Sequence, residues 1–205
     1  MTEEVRLHYD ALIDENNDPF RDPPLLAAYM DKWDGQQFID SLQLTKEKSV
    51  LEIGVGTGRL AVRVAPECRE FCGIDLSPKT VKRAKENLKE QTNVALICGD
   101  FMSYEFGRKF DVIYSSLTFM HIRDKQAAVN KVRSLLNIGG RFVLSIDKNQ
   151  SDTIDYGTRK IKIYPDNKED MPIVLYIHGG AFMTGDHTQF ENQCRFIAEM
   201  KQNNS

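Results

Sequence analysis

The sequence lacks the spacings that mark several common kinds of site. Its four cysteines, Cys68, Cys72, Cys98 and Cys194, form no Cys-x-x-Cys pair and have no histidine at ligand spacing, which argues against a zinc site. No apolar run approaches the length of a membrane span. The 27 basic and 30 acidic side chains leave a net charge of −3, so electrostatics does not indicate nucleic acid, although a local basic patch stays open. Internal repeats and low-complexity segments are also lacking. With no signal peptide in view, scattered cysteines read as reduced thiols and point to a cytoplasmic protein.

What is present is an apolar run that enters a glycine-dense turn, Ser49-Val-Leu-Glu-Ile-Gly-Val-Gly-Thr-Gly-Arg-Leu60. Val50, Leu51 and Ile53 suit a strand covered on both faces of a parallel sheet. Gly54, Gly56 and Gly58 let the backbone take positive φ and approach a ligand with no Cβ between them. A helix is expected to follow from Arg59. The glycines alternate strictly, and Arg59 stands where a dinucleotide fingerprint needs its third glycine. No Lys-Ser/Thr pair follows, which removes the P-loop reading as well.

The pattern Glu52-x-Gly54-x-Gly56-x-Gly58 resembles that of the class I methyltransferases that use S-adenosylmethionine. The resemblance runs from about Tyr9 to Ile163 and is carried further by Asp75, Asp100 and the Gly139-Gly140 stop. It implies an α/β fold: a doubly wound, mostly parallel, Rossmann-like sheet with helices on both faces and an amino-terminal helical lid. It also implies S-adenosyl-L-methionine as cofactor and a small-molecule methyl acceptor. The expected organisation is a lid over 1–44, a cofactor-binding core over 45–168 and an atypical tail over 169–205.

Residue by residue, Glu70-Phe-Cys-Gly-Ile-Asp75 reads as a second strand, with Ser77 as N-cap and Pro78 as first helical residue of the helix behind it. Val81, Ala84 and Leu88 form that helix's buried stripe. Asp75 then stands at the carboxyl end of a strand, where ligands bind in open parallel sheets. There it either takes the ribose hydroxyls, as the resemblance implies, or caps the next turn. Val94–Cys98 is the third strand. By resemblance Asp100 accepts from the adenine amine, with Phe101 or Met102 against the ring.

Phe110–Tyr114 is the fourth strand, and the stretch Ser115–His121 faces the acceptor in the family. The cofactor contacts implied are Tyr9, Glu52, Gly54, Gly56, Gly58, Asp75, Leu76, Asp100, Phe101, Met102 and Ser115. Tyr29, Trp33, Thr118 and His121 are the candidate acceptor contacts. His121 is either a general base, since imidazole titrates near neutrality, or a surface residue starting a helix. The lid aromatics Tyr9, Phe20, Tyr29 and Trp33 either line a pocket or pack the lid down. A helix over 24–33, an amphipathic helix over 127–136 and a fifth strand over 141–146 complete the core, giving five strands alternating with four helices.

The tail departs from this pattern. Lys160–Tyr164 alternates like a strand, and Pro172-Ile-Val-Leu-Tyr-Ile-His-Gly-Gly-Ala181 resembles the oxyanion-hole strand of hormone-sensitive-lipase-like α/β-hydrolases. No G-x-S-x-G nucleophile turn occurs, so hydrolase chemistry is not carried over to His178, Gly179 or Gly180. Either the tail is a joined hydrolase-like fragment or Ile173–Ile177 and Gln193–Ile197 are closing strands. In both cases 173–177 is expected as a strand on the sheet edge. The functional expectation is methyl transfer from S-adenosylmethionine to a small molecule. The alternatives are a non-catalytic nucleotide-binding module and, from another class, an esterase-like fragment.

Overall fold

A computed structural model describes residues 2–148, 161–163 and 173–179. The first helix, α1 (Thr2–Asp14), starts with Glu3 and Glu4 against its positive end, and Arg6 bridges Glu3 and Asp10 at helical spacing. A 3-10 turn over Pro19–Arg21 leads to α2 (Pro24–Asp34) and the short α3 (Gln36–Ser41). Two more helices than the one expected thus stand ahead of the first strand, in the segment expected as a lid.

The sheet begins with β1 (Ser49–Ile53), buried at every residue. After the glycine turn, α4 (Ala61–Val64) is cut to one turn and passes into a 3-10 turn over Ala65–Glu67, where Pro66 offers no N–H to continue an α-helix. Next come β2 (Glu70–Asp75), α5 (Pro78–Asn87), β3 (Val94–Cys98), β4 (Phe110–Ser116), α6 (Lys125–Leu135) and β5 (Leu136–Lys148). Ser77 caps α5 by accepting from Thr80 N at 3.0 Å, and Asp124 caps α6 by accepting from Ala127 N at 2.8 Å. Strands β1 to β5 are parallel in the order β3-β2-β1-β4-β5.

Alternation along the strands sends side chains to two separate cores. Val50, Phe71, Val112 and Tyr114 pack with Phe38, Leu42, Leu60 and Val64 of α3 and the α4 region. Leu51, Ile74, Ile113 and Phe142 pack with Ala128 and Val132 of α6. The sheet is therefore doubly wound, which is why the strands read as continuous apolar runs.

Three expectations need correction. Residues 99–109, between β3 and β4, form turns and no helix, so three helices rather than four join the five strands. Asp100 folds that segment back at once, accepting from Met102 N at 3.0 Å, with its carbonyl taken by Tyr104 N at 2.9 Å. The second correction concerns the tail, which contributes β6 (Ile161–Ile163) and β7 (Ile173–Gly179). Strand β7 is interior, parallel to β5 on one side and antiparallel to β6 on the other, so β6 holds the edge. Gln193–Ile197, Gly180 and Gly185 lie outside the described residues. The expected glycine stop also differs: α6 ends at Leu135 with extended Leu136 as its cap, and Gly139 (φ +73°) lies within β5, in the irregular stretch between the pairs Phe110↔Leu136 and Val112↔Arg141.

Candidate functional site

The three glycines after β1 are absent side chains for different reasons. Gly54 (φ +80°) and Val55 both donate to Ile74 O, at 2.8 and 3.1 Å, which pins the turn to the end of β2. A Cβ on Gly54 would fall 2.0 Å from Thr118 Oγ1. Gly58 (φ +95°) lies against Leu88, whose Cδ1 would be 2.9 Å from an added Cβ. Gly56 (φ +56°) differs, because a Cβ there would meet nothing within 4 Å. It is the one of the three whose backbone faces open space.

Asp75, half-buried at the end of β2, accepts from Gly56 N at 2.9 Å and from Ser77 N at 3.0 Å. Burial pushes its carboxyl above the usual range, the backbone donors pull it back, and nearby Asp10 adds to the rise. Each oxygen keeps a second lone pair, so the carboxylate can still accept from a ligand diol beside Gly56. Leu76 is half-buried next to it. Gly99 N donates to Asp75 O at 2.9 Å and so brings the Asp100 turn to the same sheet end. Phe101 is buried in the core with α6, and Met102 is half-buried on that cluster.

Helix α1 brings Tyr9 to His121, on the 3-10 turn Phe119–His121. Tyr9 Oη and His121 Nε2 are 2.9 Å apart, and the rings stand edge to face. Burial lowers the His121 pKa, helped by Lys125 and His8. Burial and the Asp75 charge raise the Tyr9 pKa. Both groups are thus neutral near pH 7 and share one hydrogen bond between Oη and Nε2.

Three expected contacts are turned away from this space. Glu52 is 2% exposed and accepts from Tyr114 Oη at 2.8 Å. Its carboxyl is pushed well up by burial, with Tyr114 and Arg59 opposing. Ser115 is fully buried and donates to Ile53 O at 2.8 Å, tying β4 to β1. The Phe101 ring is committed to the core, with Lys131 Nζ 5.6 Å from its centroid. Tyr29 stands 40% exposed on α2, and the side chain of Trp33 lies outside what the structure describes.

Sequence reasoning missed the acids of the lid. Asp10 accepts from Ser77 Oγ at 2.6 Å and from Arg6 at 2.6 Å. Asp18 accepts from Asn87 and Arg83 on α5, while Phe20 N donates to Thr57 Oγ1 at 3.3 Å. Asp34 and Arg59 form a forked ion pair. The local signal was the recurrence of acids at Asp10, Asp14, Asp18 and Asp34 against the basic residues Arg59, Lys79 and Arg83.

Residues 50–140 match the family described as a methyltransferase domain. A malonyl-[acyl-carrier protein] O-methyltransferase of Ilyobacter polytropus is 32% identical over 108 residues, 52% of this chain and 40% of that protein. An uncharacterized methyltransferase of Bacillus mycoides is 37% identical over 99 residues, 47% and 46% of the two chains. The chain thus spans less than half the length of these curated relatives. Among solved structures, a Haemonchus contortus phosphoethanolamine N-methyltransferase has a TM-score of 0.57 at 18% identity, over 68% of this chain and 30% of that one, which shows the shared fold. The YcgJ protein of Bacillus subtilis scores 0.50 at 31% identity, over 53% and 47%.

Proposed function

We propose that the chain, whose residues 50–140 match a methyltransferase domain, binds S-adenosylmethionine and transfers its methyl group to a small molecule. The observation that carries the reading is the geometry at Gly56. Its backbone meets open space where a Cβ would intrude, and its N–H is bound to the Asp75 carboxylate. The residues present therefore fit such a cofactor, with Gly56 against the chain that carries the sulfonium and Asp75 on the ribose. Asp100 and Met102 would border the base. When bound, the cofactor supplies an electrophilic methyl group.

The chain's own contribution is position and proton handling. The Tyr9–His121 pair offers a relay: as the new bond forms, the acceptor's nucleophile gives its proton to Tyr9 Oη while the phenol proton passes to neutral His121 Nε2. Tyr9 fixes the ring through its contact with Nε2. This arrangement suits an acceptor that loses a proton, such as a hydroxyl or an ammonium group. Among the described residues no helix is long and apolar enough to cross a membrane, and Cys68, Cys72 and Cys98 are free thiols, which supports a cytoplasmic setting.

Calorimetric titration with S-adenosylhomocysteine, the expected product, tests the proposal without knowledge of the acceptor. The wild-type chain should bind it, and Asp75→Ala should weaken binding by about 1.5–3 kcal/mol, the worth of a charged hydrogen-bonding partner. No binding by folded wild type overturns the reading.

A further inference from the structure

The most deeply buried charged side chain among the described residues is not in the cofactor-binding set. Asp34, the last residue of α2, is fully buried and takes Arg59 in a two-pronged ion pair, with Nη1 to Oδ1 at 2.8 Å and Nη2 on Oδ2. Ser116 Oγ adds a third donor at 2.5 Å. A carboxylate at a helix C-terminus is opposed by the helix dipole, so it is retained there only with strong partners. One turn earlier, Asp31 repeats the arrangement with Arg63 at 2.9 Å, and Arg63 also donates to Gln36. Gly35 makes the placement feasible, because the chain breaks direction between α2 and α3 there and a Cβ would fall 2.1 Å from Asp31 O.

Three parts of the site meet at this carboxylate. Arg59 directly follows Gly58 in the glycine turn. Ser116 ends β4 and directly precedes Leu117, which holds φ +55°, and Thr118, which fills the space beside Gly54. Asp34 belongs to the lid. Resting on the reading above, we propose that Asp34 and Arg59 are a latch: a pair of positioning residues that clamps the lid onto the glycine turn and sets how fast the cofactor is released. Arg59 suits the task because its planar fork matches a carboxylate with two parallel bonds, which lysine cannot reproduce. The lid segment ahead of α2 already lies over the turn through Phe20 N on Thr57, so loosening α2 frees the cover nearest Gly56.

The test uses the full chain with Asp34→Asn, Arg59→Lys and the milder Ser116→Ala, which leaves the ion pair intact. Release of S-adenosylhomocysteine is followed by stopped flow, and amide hydrogen exchange over 24–41 is followed without ligand. Release should accelerate roughly tenfold or more in Arg59→Lys, as expected when a bidentate charged contact is lost, and less in Ser116→Ala. Exchange over 24–41 should quicken in the same order while exchange in β2 stays unchanged. Wild-type release rates in the folded variants overturn the latch. If wild type does not bind the product, the functional reading fails, and exchange alone decides: unchanged protection of 24–41 in Arg59→Lys or Ser116→Ala overturns the latch separately.

Discussion

Gly54 and Gly56 sit two residues apart, both with positive φ, yet they should fail in different ways. Gly54→Ala drives a Cβ into Thr118 and strains the backbone, so it should cost more than about 2 kcal/mol of stability. Gly56→Ala meets no atom and should cost only about 1–2 kcal/mol of left-handed strain. Its methyl group, however, projects where the ligand backbone contact is proposed. Thermal melts and product titration on both variants should show Gly54→Ala as the weaker fold and Gly56→Ala as the weaker binder relative to its stability. Glu52 offers a second residue-scale check. Burial raises its folded pKa above the unfolded value near 4.5, so the folded chain holds this proton more tightly. Between those two values the unfolded state binds fewer protons, and stability falls as pH rises, by at most about 1.4 kcal/mol per pH unit from this group. Glu52→Gln keeps an acceptor for Tyr114 Oη and removes the titration. Denaturant melts should therefore show the variant gaining on wild type as pH increases from about 4.5 towards neutrality.

At the scale of elements, legibility in the sequence followed turn chemistry. Strands β2 and β3 and the start of α5 stand where expected, because Ser77-Pro78 and Gly99-Asp100 mark their ends with local hydrogen bonds. What could not be read was contact between elements far apart in sequence. Tyr9 and His121 are separated by 112 residues and Asp34 and Arg59 by 25, and no periodicity within either element encodes those meetings. Glu52 and Ser115 were read as ligand contacts by resemblance, whereas Glu52 Oε2 accepts from Tyr114 and Ser115 Oγ donates to Ile53 O within the sheet. Helix α1 was missed although its half-buried Val5, Tyr9, Leu12 and Ile13 recur at i, i+4, i+7 and i+8, and part of its hold comes from polar contacts. Ser77 shows that dependence: its hydroxyl accepts from Thr80 N and donates to Asp10 of α1. Ser77→Ala should cost about 1–2 kcal/mol, at or above the usual worth of a helix cap, because two elements lose a partner. Hydrogen exchange should show α1 loosened together with the first turn of α5.

For the whole molecule, the question is whether the tail is part of the sheet or an addition to it. A hydrolase-like strand has no catalytic partners here, yet its register answers to β5: Ile173 to Gly179 pair in step with Phe142 to Lys148. On its other side Lys162 and its neighbours pair with Leu175 and its neighbours. A strand with neighbours on both sides uses its N–H and C=O groups in two ladders, so it cannot absorb proline, which an edge strand tolerates. Leu175→Pro is the sharpest probe, since Leu175 faces Leu144 across one ladder and Lys162 across the other. Loss of a ladder donor should cost about 1–3 kcal/mol, which for a chain of this size lowers the melting temperature by roughly 2–4 °C per kcal/mol. The matching substitution Lys162→Pro, on the edge strand β6, should cost less. Two melts that fall in that order place residues 173–179 inside the cooperative unit that supports the glycine corner. Two melts equal to wild type would make the tail a passenger, and β5 would then be the true edge of the sheet.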